Sequence, residues 1–243
     1  MSDSETGLSA EAARFVSPAH YVDSDSMEVQ SFVVAALRNM SPDVSKKDKA
    51  IRLFEAVRDG IRYDPYTFAL NADAYRASMI ASTESAFCVP KAILLAACLR
   101  AVGIPAALGF ADVKNHLNTP KLAELMGTDL FIYHGYVQLW LEGEVYKVTP
   151  AFNMELCQRF GVKPLVFDGE NDALFHEFDE QDQRHMEYVN DRGLFVDAPM
   201  EEFLQAFHET YPKLEEFNRN RIAACGAAGF DADFAKPKEG AAQ

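Results

Sequence analysis

A cysteine in the first turn of an apolar helix is the residue of this sequence best placed for nucleophilic chemistry. Cys88 stands two residues before Pro90 and ahead of the run Ala92 to Leu99. Proline is tolerated in a helix only in the first turn, where its missing N–H would be unpaired anyway. The thiol therefore belongs at the helix N-terminus, where unsatisfied backbone N–H groups and the macrodipole favour thiolate and lower its pKa from about 8.5. Such a nucleophile needs an imidazole to shuttle protons and a third group to hold the ring's tautomer. Of the six histidines, His134 opens a strand that leads to a two-residue turn at Glu142-Gly143. That turn sets Leu141 against Glu144 and, counted back, His134 against Ala151, with Thr149 and Asn153 as diagonal neighbours on the same face. Plain structural roles stay open beside these: a small buried hydrophobe for Cys88, and a half-buried strand histidine bonded to backbone for His134.

Further side chains could contact a substrate. Asn115 and His116 end the segment Asp112-Val113-Lys114-Asn115-His116 after a strand, and Trp140 alternates in phase with His134, so it can line a cleft or fill the core. His176 and His185 lie among Asp172, Glu177 and Asp179, but no HExxH or paired Cys/His spacing accompanies them, so no metal is expected. Cys98 falls on the apolar helix as core, and Cys157 and Cys225 have no chemical context. Tyr63-Asp64-Pro65-Tyr66 follows the second helix and could rim a pocket, although no physical argument asks it to do more than turn the chain.

The elements that position these residues follow from periodicity. Val29, Phe32, Val33, Ala36, Leu37 and Met40 recur at the spacing of one helix face, with Asp25 and Glu28 as a capping box and Ser41-Pro42 as the stop. Ser45 and Asp48 open a second amphipathic helix striped by Ala50, Leu53, Phe54, Val57 and Ile61. The third, from about Pro90 to Val102, is apolar all round and hence buried. Gly103 ends it, and Ile104 to Val113 reads as a strand. A short helix over Pro120 to Met126, a hairpin of Tyr136–Leu141 and Glu144–Val148, and a last helix over Met200 to Tyr211 complete the pattern. Helices followed by antiparallel strands predict an α+β fold. One domain is expected over residues 20–215, extended beyond about 154, with residues 1–19 and 226–243 as loose tails. The acids clustered over 168–182 read as a solvated face, with interleaved phenylalanines that could form a flap over the site.

Composition bounds the function. The 243 residues are 49% hydrophobic and 25% charged, as in an ordinary folded protein. A net charge of −14 repels phosphates and anionic headgroups, so neither nucleic acid nor a membrane surface is an expected partner. The acidic Met1 to Ala10 stretch is not a secretory signal, and Ala92 to Leu99 is too short to cross a bilayer. Four cysteines without CxxC spacing point to a reducing cytoplasm. Nothing in the sequence specifies the oligomeric state.

Two ordered segments carry a resemblance. Phe87 to Gly109, FCVPKAILLAACLRAVGIPAALG, followed by His134 to Pro150, HGYVQLWLEGEVYKVTP, resembles the transglutaminase-like, papain-like cysteine protein superfamily over about residues 50–153. The resemblance implies a transglutaminase-like α+β core, with the buried helix that carries the Cys packed on an antiparallel sheet. It implies acyl transfer through a thioester, no cofactor, Cys88 as nucleophile and His134 as its histidine. Two positions depart from the family pattern. Thr149 stands where members usually carry Asp, which leaves Asn153 first and Thr149 second as third member, and Ala86 replaces the Gly two residues before the nucleophile. The expected activity is hydrolysis of amide or peptide bonds in a peptide or small-molecule substrate. Acyl transfer to an amine is the alternative, and a non-catalytic binding protein on the same fold is a second.

Overall fold

The structure, a computed structural model, describes residues 9–115, 118–174, 186–223 and 233. At its centre is helix α4, Cys88–Ala101, whose every residue from Cys88 to Arg100 is buried. Its fully enclosed Ile93, Leu94, Leu95 and Leu99 each contribute roughly 1.5–3 kcal/mol relative to exposure. Two polar residues are buried with them. The Arg100 guanidinium donates to the carbonyls of Ala106, Ser17 and Val196, so its charge is held by backbone from three segments.

On one side α4 meets α1 (Met27–Leu37), α2 (Lys46–Gly60) and the short α3 (Ala77–Ile80). Both long helices start as their sequences dictate. Ser45 Oγ accepts the Asp48 N–H and donates to the Asp48 carboxylate, and Ala50, Leu53, Phe54 and Val57 form the buried stripe. The cap of α1 is Ser26, which accepts from the Val29 N–H, rather than Asp25.

On the other side α4 packs against a four-stranded antiparallel sheet, ordered β5 (Glu144–Val148), β4 (Leu130–Leu141), β3 (Ala106–Asn115), β6 (Met186–Phe195). The fold is α+β, with the cysteine-bearing helix lying on an antiparallel sheet. The β4–β5 hairpin has the register counted from its turn, with Leu141 opposite Glu144 and Val137 opposite Val148. A two-residue parallel pair of β1 (Arg62–Tyr63) and β2 (Ser85–Ala86) leads directly into α4.

Four further helices or strands complete the description: α5 (Pro120–Met126), α6 (Met154–Phe160), α7 (Met200–Thr210) and α8 (Pro212–Ala223). The last is not foreseen by periodicity, nor is β6. Parts of both expected tails are among the described residues. Ala12 and Phe15, in a 3-10 turn, are buried against the sheet, and Asp233 carries a side chain only 3% exposed. No helix among the described residues is long and apolar enough to cross a membrane.

Candidate active site

Cys88 is the first residue of α4, and Phe87 before it offers no side-chain cap. The amide groups of this turn are therefore free to serve the sulfur. Backbone N–H groups near the sulfur, that of Gly135 foremost and then those of Val89 and Cys88 itself, favour the thiolate. Gly135 follows His134 directly, so the first turn of α4 packs on the strand that carries the histidine. The approach is close: a Cβ at Gly135 would stand 3.1 Å from Val89 Cα, 3.2 Å from Ala92 Cβ and 3.3 Å from the Cys88 carbonyl oxygen.

The expected acidity of Cys88 is overturned. Burial pushes the thiol up to about 11, against the lowering influence of the Gly135 and Val89 amides and of Lys91. The cause is the enclosure. A cavity of about 40 Å³ beside the thiol is lined by Tyr63, Pro65, Phe87, Leu122, Phe203 and Tyr211 among others, with no charged side chain in its wall. Desolvation of the thiolate there outweighs the helix N-terminus.

His134 alternates away from Gly135 along β4 into a separate cavity of about 10 Å³, shared with Thr149, Ala151, Phe152, Leu165, Leu174 and Met186. The described linings of the two cavities have no residue in common. Burial lowers the imidazole to about 4. At neutral pH the site therefore rests as a neutral thiol and a neutral imidazole.

The two candidates for third member separate in space. Thr149 lines the His134 cavity, and its buried Oγ1 has no hydrogen-bond partner among the described residues. Asn153 caps α6, and its Oδ1 accepts the backbone N–H of Tyr63 at 3.1 Å. Its observed partner thus belongs to the Cys88 side.

The substrate-contact expectations fare differently. Trp140 stacks on Phe15, ring centroids 5.1 Å apart, in a cluster with Ala12 and Ala107, and it lines neither cavity. Its phase along β4 matches His134, but six residues of strand carry it to the far end of the sheet. Asn115 ends β3 opposite Met186 and is likewise in neither lining. His116, His176, His185 and most of the expected flap over 168–182 lie outside the described residues.

The sequence missed the aromatic residues of α7 as parts of the cysteine cavity. Tyr63 and Pro65, from the turn segment that could rim a pocket, line it. The Tyr63 phenol is pushed well above the ordinary range, first by burial and then by proximity to Cys88. The α7 stripe of Met200, Phe203 and Phe207 was legible as a helix face, but nothing local says which surface it covers.

One backbone feature aims the histidine strand. Tyr133, immediately before His134, has φ +53°, a left-handed conformation costly for a bulky residue. Its N–H donates to Asp112 Oδ1 at 3.0 Å. The Arg192 guanidinium, 4.0 Å above the Tyr133 ring, clamps the same carboxylate at 2.6 and 2.9 Å. Strand pairing is irregular on both sides of Asp112, as bulges next to functional residues often are.

Residues 34–150, which contain both Cys88 and His134, match the model of the transglutaminase-like superfamily core. That segment is similar to a transglutaminase-like core. Two solved structures resemble the chain. One is a proposed cysteine protease from Cytophaga hutchinsonii, at 16% identity over 78% of this chain and 55% of that one, with a TM-score of 0.45. The other is the arylamine N-acetyltransferase from Mycobacterium abscessus, at 16% identity over 62% and 49%, with a TM-score of 0.40. The chain spans about half the length of these structures. No curated protein matches it. In this chain the matched segment is covered on its cysteine side by α7 and α8, which follow it.

Proposed function

We propose that the protein is a cysteine-dependent hydrolase of amide or peptide bonds that works through a thioester. The observation that carries this reading is the place of Cys88 as the first residue of α4, packed on the strand residue that follows His134, within the segment that matches the transglutaminase-like core. In this reading bound substrate brings the Cys88 and His134 cavities, whose described linings share no residue, into register: the Cys88 sulfur then attacks the acyl carbon as its proton passes to His134, and the backbone N–H groups of the first α4 turn receive the oxyanion. The C–N bond then breaks and His134 returns the proton to the leaving amine. Water adds to the thioester, giving up a proton through His134, and the acid and the free thiol are released. Thr149 Oγ1 lies in the same cavity as the imidazole with its own hydrogen-bonding capacity unfilled among the described residues, and is the acceptor the ring would take up. A hydroxyl orients the ring without stabilising imidazolium as a carboxylate would, which suits proton transfer within the step rather than a standing ion pair. The apolar wall beside the sulfur suits an uncharged acyl group. An amine in place of water would make the same intermediate an acyltransferase, and product analysis with competing amines separates the two.

The test is direct. With an activated apolar amide or ester, mass spectrometry should find the acyl group on Cys88, and Cys88→Ala should abolish turnover while melting stays within a few degrees. Turnover retained by that variant sinks the reading. A second reading, a binding protein that has kept the fold, is favoured by the raised thiol and by Thr149. It predicts no acyl adduct on Cys88 with any activated donor.

A further inference from the structure

Lys91 is the one lysine among the described residues buried completely, at 0% exposure, and the proposed mechanism does not use it. It lies three residues after Cys88 on α4, a spacing that stacks the two side chains on one helix face. Its Nζ donates to three carbonyl oxygens: Arg58 at 2.8 Å, Ile61 at 2.6 Å and Ala151 at 2.7 Å. Three acceptors match the three N–H bonds of an ammonium, whereas a neutral amine would leave one carbonyl without a donor. The acceptors come from the end of α2, from the entry to β1 and from the segment after β5. These are the stretches that set Tyr63, which lines the Cys88 cavity, and Thr149 and Asn153 in their places.

We propose that Lys91 is a positioning residue for Cys88: its ammonium ties the segments around residues 61–63 and 149–153 to the first turns of α4 and supplies positive charge that favours the Cys88 thiolate. The inference concerns the acidity of the thiol and deepens the hydrolase reading, but its test needs no turnover. Burial opposes the ammonium and lowers Lys91 to about 7, while the three carbonyl acceptors and the Cys88 thiolate favour it, so cation and thiolate stabilise each other as a pair. The other groups acting on it are Asp59 and Arg58 from α2, Cys157 from α6 and Cys88 on its own helix. Asp59 favours the ammonium and Arg58 opposes it. The Cys88 influence is reciprocal, as linkage requires: Lys91 lowers the thiol, and the thiolate raises Lys91.

The experiment is iodoacetamide alkylation of the full chain across pH, resolved to Cys88 by peptide mass spectrometry, in the native protein and in Lys91→Met. Removing the cation should raise the alkylation midpoint by about one pH unit and slow labelling about tenfold on the acid side of it. A purely structural lysine would leave the midpoint in place, or lower it by loosening the enclosure, and either result overturns the inference. The reciprocal measurement leaves Lys91 intact and covers the case in which Lys91→Met does not fold. A fixed anion in Cys88→Asp should raise the Lys91 midpoint, followed by side-chain NMR, relative to Cys88→Ala, and equal midpoints would also overturn it. A moved midpoint with no acyl adduct on Cys88 would separate the two proposals, retaining the lysine's role and rejecting the hydrolase.

Discussion

Burial moves Cys88 and His134 in opposite directions on the pH scale and to the same effect, since each is held in its neutral form. For His134 this has a measurable consequence for stability. Its pKa is about 4 in the folded chain against an ordinary 6.5, so between those values the unfolded chain binds a proton that the folded chain refuses. Stability from this group is fully present above pH 6.5 and is lost as pH falls toward 4, by at most about 3 kcal/mol at roughly 1.4 kcal/mol per unit. Carboxylates begin to titrate in the same window, so the difference between native protein and His134→Gln is the quantity to measure. The native chain should lose more denaturation free energy than the variant between pH 6.5 and 4, and parallel curves would refute the buried, neutral imidazole. The place of Cys88 was legible from Pro90 and the apolar run behind it. Its acidity was not, because desolvation comes from Phe203 and Tyr211, more than a hundred positions away.

At the scale of elements, the contact between α4 and β4 is the joint on which the site depends, and Gly135 is where it is tightest. Any side chain there meets Val89, Ala92 and the Cys88 carbonyl at close range, and two of those three atoms are backbone. Gly135→Ala should push the strand from the helix, destabilise the fold by about 1–3 kcal/mol and move the Gly135 N–H, which favours the thiolate, away from the sulfur. Denaturant unfolding measures the first effect, and a raised Cys88 alkylation midpoint measures the second. Unchanged values of both would mean that the joint yields freely. Hairpin register was readable because one short turn fixes every pair above it, as Leu141 opposite Glu144 shows. Strand β6 was not, since its sequence, MEYVNDRGLF, lacks clean alternation and its pairing with β3 is broken at Phe110/Ala111 and Asp112/Val113. Helix α8 was missed for a related reason. It starts at Pro212 directly after Tyr211, and its polar, charged sequence carries no strong apolar stripe.

Across the whole molecule, the segments outside the matched core enclose the nucleophile. Phe203, Phe207, Tyr211 and Leu214 from α7 and α8 face Leu122 and Met126 of α5 across the Cys88 cavity. The contact between α5 and α8 is braced by Lys121, whose Nζ lies 4.5 Å from the Tyr66 ring centroid and 4.9 Å from that of Phe217. Asp233 completes the brace. Its carboxylate accepts from the Tyr66 hydroxyl at 2.5 Å, the Thr119 hydroxyl at 3.1 Å and Lys121 Nζ at 3.1 Å. Burial and Asp233 together raise the Tyr66 phenol, which keeps it a donor at every physiological pH. Thr119 caps α5 and Tyr66 packs edge-on against Phe217 of α8, so one carboxylate connects both helices that close the cavity. Removing it takes from Lys121 and Tyr66 the carboxylate to which each is bonded, while nothing in the wall of the cavity itself changes. Asp233→Ala should therefore leave the Cys88 alkylation midpoint where it is and raise the rate severalfold at every pH, because access and not acidity has altered. A rate equal to that of the native chain would show that α7 and α8 hold their cover without the tether, and a shifted midpoint would show that Asp233 acts on the thiol itself.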